Sequence, residues 1–457
     1  MSANLVIRPV AVAPGSLLAL HAAYPARYPA LLESAATSSA LGKYDILFAY
    51  PREHLTLDSQ AHLHSNRGAV ASNQFLAEFD AWWREFSCPK IESSLPFTGG
   101  WFVYLGYELA GQIEPKLCLR APLGRPIAKA LRVPAAVIVE HATQQVLIVA
   151  ESDATDTVPA IERDLANVAM TSVATPATLL RGSVTEDPPQ DYLSSVSRAL
   201  ELIARGDIYQ ANLSRAWRAQ LQPGVQPHHL YRRLRKANPG PFCGLATLDD
   251  FAVVSSSPER LMSARDGWIS TRPIAGTRPR GSDADADARL VRELRDHPKE
   301  RAEHIMLIDL ERNDLGRVCE AGSVTVDEYM TIETYAHVHH IVSNVKGRLR
   351  SDIAPGAALA AVFPGGTITG CPKVRCMEII AQLEDTARGA YTGSLGYVNR
   401  DGSMDFNILI RSIELVGRNA TLRAGAGVVA DSIPDRELDE SRAKARGVLR
   451  ALSEDEV

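Results

Sequence analysis

The sequence predicts a mixed α/β fold, α+β in kind, with antiparallel sheets. Strand-like runs come in neighbouring pairs, such as residues 135–140 and 145–150, rather than in strict alternation with helices. Helical patterns of apolar residues lie between these pairs, and the pattern over residues 191–205 closes at Gly206. With 457 residues, 46% of them hydrophobic, the chain is long enough to bury a large core.

The predicted elements are short runs bounded by turn residues. Each strand is rich in apolar, β-branched or aromatic residues, and each helix repeats apolar residues three or four positions apart. The predicted strands are residues 44–50, 100–107, 135–140, 145–150, 252–256, 337–347, 393–398, 407–414 and 420–424. The predicted helices are residues 74–86, 158–170, 191–205, 287–295, 298–314, 355–363, 372–383 and 436–452.

A break in these patterns divides the chain into two parts. Residues 151–190 include stretches rich in Ala, Thr and Ser, and a run of two acidic residues and two prolines follows at 186–189. We therefore predict an N-terminal region over residues 1–186 and a catalytic domain over residues 187–457. Neither part contains an internal repeat or a low-complexity tract.

The composition argues against several classes of protein. A formal net charge of -5, without a cluster of Lys and Arg, argues against a nucleic-acid partner. No apolar run approaches the ~18 residues of a membrane helix, and the first residues lack the features of a signal peptide. Six irregularly spaced cysteines predict no disulfide framework. We expect a cytoplasmic protein with neither a nucleic-acid nor a membrane partner.

Two predicted helices each present a pair of carboxylates at i,i+3 spacing. Glu300 and Glu303 form the first pair. Glu437 and Glu440 form the second, and Lys444 follows one turn later. Two such faces can enclose Mg²⁺, which prefers a few carboxylates together with water and an anionic ligand. From the spacing alone, solvated and salt-bridged helix faces are the commoner explanation.

Two glycine-rich segments offer backbone donors for an anion. Residues 364–373 combine glycines with two hydroxyls and a lysine, and Pro372 can open the following helix. The residue order of a Walker A motif is absent. Gly425 and Gly427 lie in a predicted turn between two strand runs, where N–H groups would be free. A plain tight turn or a β-bulge explains these segments as well.

Three histidines crowd at the start of one predicted strand. On a strand, His337 and His339 face one way and His340 faces the other. A zinc site would need a further ligand from elsewhere, and the cysteines show no matching pair. Structural imidazoles on both faces of the strand are therefore the simpler interpretation.

Seven segments, taken in order, carry a resemblance to a known enzyme family. They are GDIYQANLS (206–214), SSSPERL (255–261), TRPIAGTRPRG (271–281), ERAEHIMLIDLERNDLGRV (300–318), FPGGTITGCPK (363–373), YTGSLGY (391–397) and GAGVVADSIPDRELDE (425–440). Together they resemble the chorismate-utilising enzymes, which include anthranilate, aminodeoxychorismate, isochorismate and salicylate synthases. The resemblance is weaker before residue 187. It implies large antiparallel sheets, flanked by helices, around a chorismate site.

The resemblance implies roles for individual residues. Glu259 matches the general acid that protonates the departing C4 hydroxyl of chorismate, and His340 matches a histidine near the pyruvate-bearing part of the substrate. The implied substrate contacts are Tyr391 and Arg411 at the ring carboxylate, Gly425 and Gly427 at the enolpyruvyl carboxylate, and Thr367 and Lys444 as further polar groups.

The resemblance also implies Mg²⁺ as the cofactor. Glu303 and Glu440 match the carboxylates that hold the ion, and Glu300 and Glu437 match supporting positions. A non-catalytic relative would be expected to lose Glu259, Glu303 or Glu440. All three are present, which indicates an enzyme.

Position 210 separates the water-using from the ammonia-using members of this family. Isochorismate and salicylate synthases carry a lysine there as the base that activates water. Gln210 cannot act as a base but can position ammonia. The resemblance therefore favours the two ammonia-using enzymes, and it implies a separate glutamine amidotransferase as partner, because no segment here resembles a glutaminase.

Two products then remain in competition. The PIAGT segment, with Ala275 and Thr277 as catalytic positions, resembles anthranilate synthase, because typical aminodeoxychorismate synthases carry a lysine at position 275 that attacks C2. Four other segments resemble aminodeoxychorismate synthases: YQANL (209–213), PER (258–260), FPGG (363–366) and MDFNILIR (404–411). We give these four segments more weight than the single residue Ala275. The prediction is aminodeoxychorismate synthase component I, serving para-aminobenzoate and folate synthesis, with anthranilate synthase component I of tryptophan synthesis as the alternative.

Residues 31–34 match the segment that lines a tryptophan pocket in this family. That pocket regulates anthranilate synthases and is structural or empty in other members. Residues 238–242 only partly resemble the loop that closes it. The resemblance therefore identifies Glu33 and Ser34 as candidate pocket residues and leaves binding of L-tryptophan open.

Overall fold

Two large antiparallel sheets form the framework of the molecule, and the predicted fold class is confirmed. The computed structural model describes residues 5–35, 42–168, 176–335 and 338–453. Strands are numbered β1–β23 and helices α1–α11 along the chain.

The first sheet has twelve strands within the described residues. In spatial order they are β1 (Leu5–Val10), β9 (Gln145–Glu151), β8 (Ala135–Glu140), β3 (Tyr44–Ala49), β2 (Ala30–Glu33), β12 (Phe242–Leu248), β13 (Phe251–Ser257), β22 (Ser412–Val416), β23 (Asn419–Val428), β11 (Gln210–Gln220) and β10 (Thr185–Glu186), with β19 (Gly370–Cys371) beside β11.

The second sheet has eleven strands in the same described ranges. In spatial order they are β16 (Ile274–Pro279), β18 (Val338–Arg348), β15 (Trp268–Thr271), β14 (Arg260–Arg265), β21 (Met404–Asn407), β20 (Ser394–Asn399), β6 (Gly100–Leu105), β7 (Ala128–Val133), β4 (His54–Leu57) and β5 (Leu63–Ser65), with β17 (Thr325–Thr334) beside β18.

The helices lie outside this pair of sheets or close its ends. They are α1 (Ser16–Ala23), α2 (Phe75–Phe86), α3 (Ala110–Ile113), α4 (Thr157–Val168), α5 (Pro189–Ala204), α6 (Pro227–Ala237), α7 (Ala284–Asp296), α8 (Pro298–Gly316), α9 (Pro355–Val362), α10 (Lys373–Leu383) and α11 (Pro434–Arg450), with short 3₁₀ turns at Tyr107–Leu109 and Gly366–Ile368. None of the described helices combines the length and apolar character that crossing a membrane requires.

The apolar core is built in three layers. The inner layer lies between the two sheets, where Phe48 of β3 packs against Phe102 of β6 with ring centroids 5.2 Å apart. The outer face of the first sheet packs on α1, α4, α6 and α11, and that of the second packs on α2, α8 and α9. Because β8 is therefore covered on both faces, its sequence is a continuous apolar run rather than an alternating one.

Two chain segments cross side by side from one sheet to the other. The first joins β13 to β14 and carries Glu259, and the second joins β21 to β22 and carries Arg411. The backbone N–H of Ile408 donates to the carbonyl of Glu259 at 3.0 Å, and that of Ser256 donates to the carbonyl of Arg411 at 3.2 Å. The two crossings thus hold an acidic and a basic side chain between the sheets.

The single strand predicted over residues 407–414 is wrong. The chain leaves the second sheet after Asn407 and enters the first at Ser412. Arg411 adopts a φ of 54°, in the left-handed region that a non-glycine residue occupies at a cost of about 1 kcal/mol or more. This conformation turns the chain between the sheets, which an apolar run in the sequence does not reveal.

The other predicted elements agree with the structure within a few residues. The last two residues of the predicted helix 158–170 and His337, at the start of the predicted strand 337–347, lie outside the described residues. Strands from both sides of the predicted boundary at residue 186 share each sheet, since β2 pairs with β12 and β6 pairs with β20. The division into two regions stays a prediction about the sequence.

Candidate active site

A cavity of about 160 Å³ lies where the two crossings run between the sheets. Its wall contains eight of the eleven predicted catalytic and substrate-contact residues: Glu259, Thr277, His340, Thr367, Tyr391, Arg411, Gly425 and Lys444. A larger cavity of about 760 Å³, mainly apolar, lies between α8 and α10 and contains none of these eleven residues, although Pro372 and Lys373 of the predicted anion-binding segment line it. The smaller cavity is the candidate active site, because the chemically useful groups converge there.

Glu259 is the acid of this cavity. Its side chain is buried, and the hydroxyl of Thr367 donates a hydrogen bond to its Oε1 at 2.7 Å. Burial raises the pKa of Glu259 to about 7, although Thr367, Lys444 and Arg411 oppose that rise. A carboxyl group with this pKa is partly protonated at neutral pH and can donate a proton to a leaving group.

Two cations face the same space. The guanidinium of Arg411 has no hydrogen bond or ion pair with any side chain in the described part of the chain. Burial lowers its pKa, and the nearby Glu259 opposes that effect. Lys444 approaches from α11, with its Nζ 2.8 Å from Glu440. An unpaired guanidinium beside an ammonium group is suited to an anionic ligand.

His340 is a neutral member of the wall. Its Nδ1 lies 2.9 Å from the hydroxyl of Thr277, and burial lowers the pKa of the imidazole to about 4. His339 points the opposite way, where its Nε2 lies 2.9 Å from Asp287. The predicted opposite orientation of His339 and His340 is therefore confirmed.

Tyr391 forms another part of the wall and has a guanidinium behind it. The guanidinium of Arg388 lies 5.4 Å from the centre of the Tyr391 ring. Burial raises the pKa of this phenol to about 12, so the hydroxyl stays protonated and can donate a hydrogen bond.

The predicted turn at Gly425 and Gly427 is wrong. Both glycines lie inside β23, which pairs with β11. A Cβ on Gly425 would overlap the carbonyl oxygen of Leu213, and one on Gly427 would overlap the side-chain nitrogen of Gln210. The absence of a side chain at both glycines therefore allows β23 to pair closely with β11. In the described residues, β23 has no strand partner beyond Leu422 on its other side, and Gly425 borders the cavity along that edge.

Two predicted catalytic positions lie beside the cavity rather than in its wall. Gln210 begins β11 with its side chain against Gly427. Ala275 lies on β16 between Ile274 and Thr277, and both of these neighbours line the cavity. A register shift after Ala275 brings the two neighbours to the same side of the strand.

The four predicted metal carboxylates lie on α8 and α11. An ion pair of 2.9 Å between Lys299 and Asp431 links α8 with the segment before α11. Burial, together with the carboxylates of Glu300, Asp431 and Glu440, raises the pKa of Glu303 to about 7 against the opposing charge of Lys299. The carboxylates of the two helices are therefore close enough to repel one another.

Existing ion pairs hold three of these carboxylates, since Glu303 lies 3.9 Å from Lys299 on the same helix. Glu300 pairs with Arg278 at 3.0 Å, and Glu440 pairs with Lys444 at 2.8 Å. Within the four described stretches of the chain, no three side chains of His, Cys, Asp or Glu converge to hold an ion by themselves. The donor set fits Mg²⁺ in kind, because it consists of carboxylate oxygens, but further oxygen ligands would have to come from water or substrate.

Sequence reasoning missed three residues of the site. Asn212 and Arg423 line the cavity, and Arg388 donates to the carbonyl of Asn212 at 2.6 Å. The two arginines share the buried carboxylate of Glu384, at 2.7 and 2.8 Å. Strand alternation could have found Asn212, since it is two residues beyond Gln210 and shares its face.

Glu33 and Ser34 line a separate cavity of about 100 Å³, together with Tyr397 and Arg260. Glu33 accepts a hydrogen bond from Tyr231 at 2.7 Å. The hydroxyl of Ser34 is buried and has no partner in the described part of the molecule. The segment thus forms a pocket, and tryptophan binding there stays a prediction.

The sequence profile of the chorismate binding enzymes matches residues 29–450. The chain belongs to this family. Among its relatives, an anthranilate synthase component I-like protein of Synechocystis is 44% identical over 79% of this chain and 74% of the relative. An aminodeoxychorismate synthase component 1 of Bacillus subtilis is 40% identical over 82% of each chain.

A solved structure of the same kind agrees with the fold of this chorismate-binding enzyme. Anthranilate synthase component I from Streptococcus pneumoniae superposes with a TM-score of 0.79 at 30% identity, over 90% of this chain and 93% of that chain. Relatives named for either product match at similar identity. The protein is therefore a chorismate-utilising enzyme, and its product has to be argued from the site.

Proposed function

We propose that this enzyme is the synthase subunit of an aminodeoxychorismate synthase. It would convert chorismate and ammonia to 4-amino-4-deoxychorismate and water. The observation that carries the proposal is the cavity wall, where the acid Glu259 stands opposite the unpaired guanidinium of Arg411 while the neighbouring position 210 is an amide. An amide cannot activate water as a base, so a nucleophile that needs no base is favoured.

Direct displacement of the C4 hydroxyl is not required. We propose that ammonia first bonds to C2, the two ring double bonds each shift by one position, and the C4–O bond breaks. Glu259 gives its proton to the departing oxygen, which leaves as water, and the added nitrogen later loses a proton to restore the acid. Ala275 has no nucleophilic atom, so the 2-amino-2-deoxyisochorismate formed is held without a covalent bond to the protein.

A second ammonia then completes the reaction. It bonds to C4, the double bonds shift back, and the C2–N bond breaks. Glu259 gives a proton to the departing nitrogen, which leaves as ammonia, and the new C4 nitrogen loses a proton to restore the acid. The net change replaces one hydroxyl by one amino group, with water as the other product. Anthranilate synthase chemistry would share the first step and then lose pyruvate after removal of the C2 proton. A difference of about 1.4 kcal/mol between these two barriers changes the product ratio tenfold.

The proposal includes Mg²⁺ on the facing carboxylates of α8 and α11. Glu303 and Glu440 would hold the ion, and Glu300 and Glu437 would support them. When bound, Mg²⁺ supplies positive charge that neutralises a carboxylate of chorismate. Arg411 and Lys444 add further positive charge around the substrate.

The product can be tested with the proposed intermediate. Synthetic 2-amino-2-deoxyisochorismate, supplied with ammonia and Mg²⁺, is expected to give 4-amino-4-deoxychorismate as the main product, because Glu259 can protonate the departing C2 nitrogen as it protonates the C4 oxygen. Chromatography of the products against authentic standards measures the ratio. If anthranilate were the main product, the alternative function, anthranilate synthase component I, would be correct.

A second expectation concerns the source of ammonia. We propose a glutamine amidotransferase as partner, in line with the "component" in the relatives' names. The isolated chain is expected to use ammonium salts but not glutamine, since its cavity offers no cysteine nucleophile. Adding the amidotransferase should make glutamine a substrate. Glutamate release by the isolated chain would contradict this two-subunit arrangement.

A further inference from the structure

Two buried amide oxygens beside the cavity have no hydrogen-bond partner. They are Oε1 of Gln210 and Oδ1 of Asn212, each unpaired with respect to every described residue. Both residues lie on one face of β11, with their Cα atoms about 6.6 Å apart at two strand rises. A buried acceptor without a donor costs about 1–3 kcal/mol, so a water molecule or a ligand with N–H or O–H groups is expected there.

We propose that Asn212 is a second member of the ammonia-binding site, beside the Gln210 that the family resemblance already associates with ammonia. This proposal rests on the proposed function in one respect, namely that ammonia is the nucleophile. Asn212 would act as a positioning and specificity-determining residue, with its side-chain oxygen accepting an N–H bond from the incoming ammonia and holding the nitrogen lone pair toward the cavity.

The orientation of the Asn212 amide is fixed by its surroundings. Its Nδ2 donates to the carbonyl of Thr367 at 3.4 Å, which leaves Oδ1 as the free end. Its backbone N–H donates to the carbonyl of Thr369 at 2.9 Å, and its own carbonyl accepts from Arg388 at 2.6 Å. Three contacts thus hold the residue before any ligand arrives, which reduces the entropy that binding has to overcome.

Counting donors favours ammonia over chorismate as the ligand of these oxygens. Chorismate with both carboxylates ionised has one donor, its C4 hydroxyl. Gln210 and Asn212 offer two acceptor oxygens, so the single donor of chorismate cannot satisfy both. Ammonia has three N–H groups and can donate to both. Neither oxygen suits a carboxylate, because two acceptors repel each other.

Thr367 places this subsite next to the acid. Its hydroxyl donates to Glu259 at 2.7 Å, while its carbonyl accepts from Asn212. Thr367 therefore contacts both the proton donor Glu259 and the proposed ammonia-binding residue Asn212, and so sets the distance between them. That arrangement suits a reaction in which nitrogen bonds to one ring carbon while oxygen leaves another.

The test compares Asn212→Val with Asn212→Thr. These two variants have nearly the same shape, and only the second keeps an oxygen. With ammonium chloride as the nitrogen source, Asn212→Val is expected to raise the KM for ammonia about tenfold, equivalent to about 1.4 kcal/mol. The KM for chorismate should stay within about twofold, and Asn212→Thr should recover part of the ammonia affinity.

The matched control is Gln220→Val at the far end of the same strand, outside the cavity wall, which should leave both constants unchanged. If Asn212→Val does not fold, Gln210→Leu tests the same subsite from its other member, with the same expected rise in the KM for ammonia. A raised KM for chorismate with an unchanged KM for ammonia would overturn the proposal and assign Asn212 to the C4 hydroxyl.

Chorismate consumption is the readout, so the result does not depend on which aminated product forms. If the wild-type enzyme consumed chorismate independently of ammonia, the proposed function would fail. If its rate depends on ammonia but Asn212→Val keeps the wild-type KM for ammonia, only the subsite proposal fails.

Discussion

Glu259→Gln is expected to lower the kcat for chorismate amination by roughly 10²–10⁴-fold, the usual contribution of a positioned general acid. The amide keeps the size of the side chain but has no proton to give to the departing C4 oxygen. Chorismate binding should remain, because Arg411 and Lys444 are unchanged. Chromatographic measurement of initial rates, with binding measured by calorimetry, separates the two effects.

The pH dependence gives a second readout of the same group. The pKa of Glu259 is raised by burial to about 7, so the carboxyl group is mainly protonated below that pH and ionised above it. The kcat/KM is therefore expected to fall as the pH rises through about 7. Glu108 is a matched control, since burial also raises its pKa to about 7, yet it lies outside the cavity wall. Glu108→Gln should leave the fall in kcat/KM above about pH 7 unchanged. Full activity of Glu259→Gln would contradict the assignment of Glu259 as the general acid.

Glu303→Gln and Glu440→Gln are expected to remove Mg²⁺-dependent turnover while leaving the protein folded. Each change removes one of the few carboxylates available on the two facing helices, and the affinity for Mg²⁺ should fall by about 10²-fold or more. Titration of activity with MgCl₂, with thermal unfolding as a check on folding, measures the effect. Asp309→Asn, on an exposed face of α8, is the matched control and should behave like wild type.

Acidification should weaken the same metal site. The pKa of Glu303 is raised to about 7 by burial and by the neighbouring carboxylates, and Mg²⁺ binds the ionised form. The affinity for Mg²⁺ is therefore expected to fall as the pH drops below about 7. Combined with the loss of the acidic form of Glu259 at higher pH, this predicts a bell-shaped profile. Full activity in excess chelator would rule out the metal requirement.

The sequence was most informative where one residue type has a fixed chemical meaning. The motifs of a known family predicted Glu259, which lines the cavity, and the carboxylate pairs, which lie on α8 and α11. The break in the predicted strand after Asn407 could not be predicted. Residues that are covered on both faces of a sheet form an apolar run, whichever of the two sheets they belong to. The strand pairing of Gly425 was equally hidden, because a glycine that permits a turn also permits close strand contact.

The site residues that were missed depend on long-range contacts. Asn212 matters because its oxygen lacks a partner, and Arg388 because it reaches the backbone of β11 from a distant loop. Strand alternation places Asn212 on the face of Gln210, but the missing partner and the reach of Arg388 cannot be deduced from the local sequence. Ala275 shows the reverse case, since a register shift on β16 leaves it outside the wall that its neighbours form.

The pairing of β2 with β12 and of β6 with β20 has a consequence for folding during synthesis. The first five strands of the first sheet all lie before residue 152, so they can assemble early and leave β2 as an open edge. The edge at β6 stays unpaired for longer, because its partner β20 is synthesised near the end of translation. At about 5–20 residues per second this exposure lasts on the order of tens of seconds. During that interval two strand edges are open to pairing between nascent chains, and a ribosome-associated chaperone would have its largest effect there.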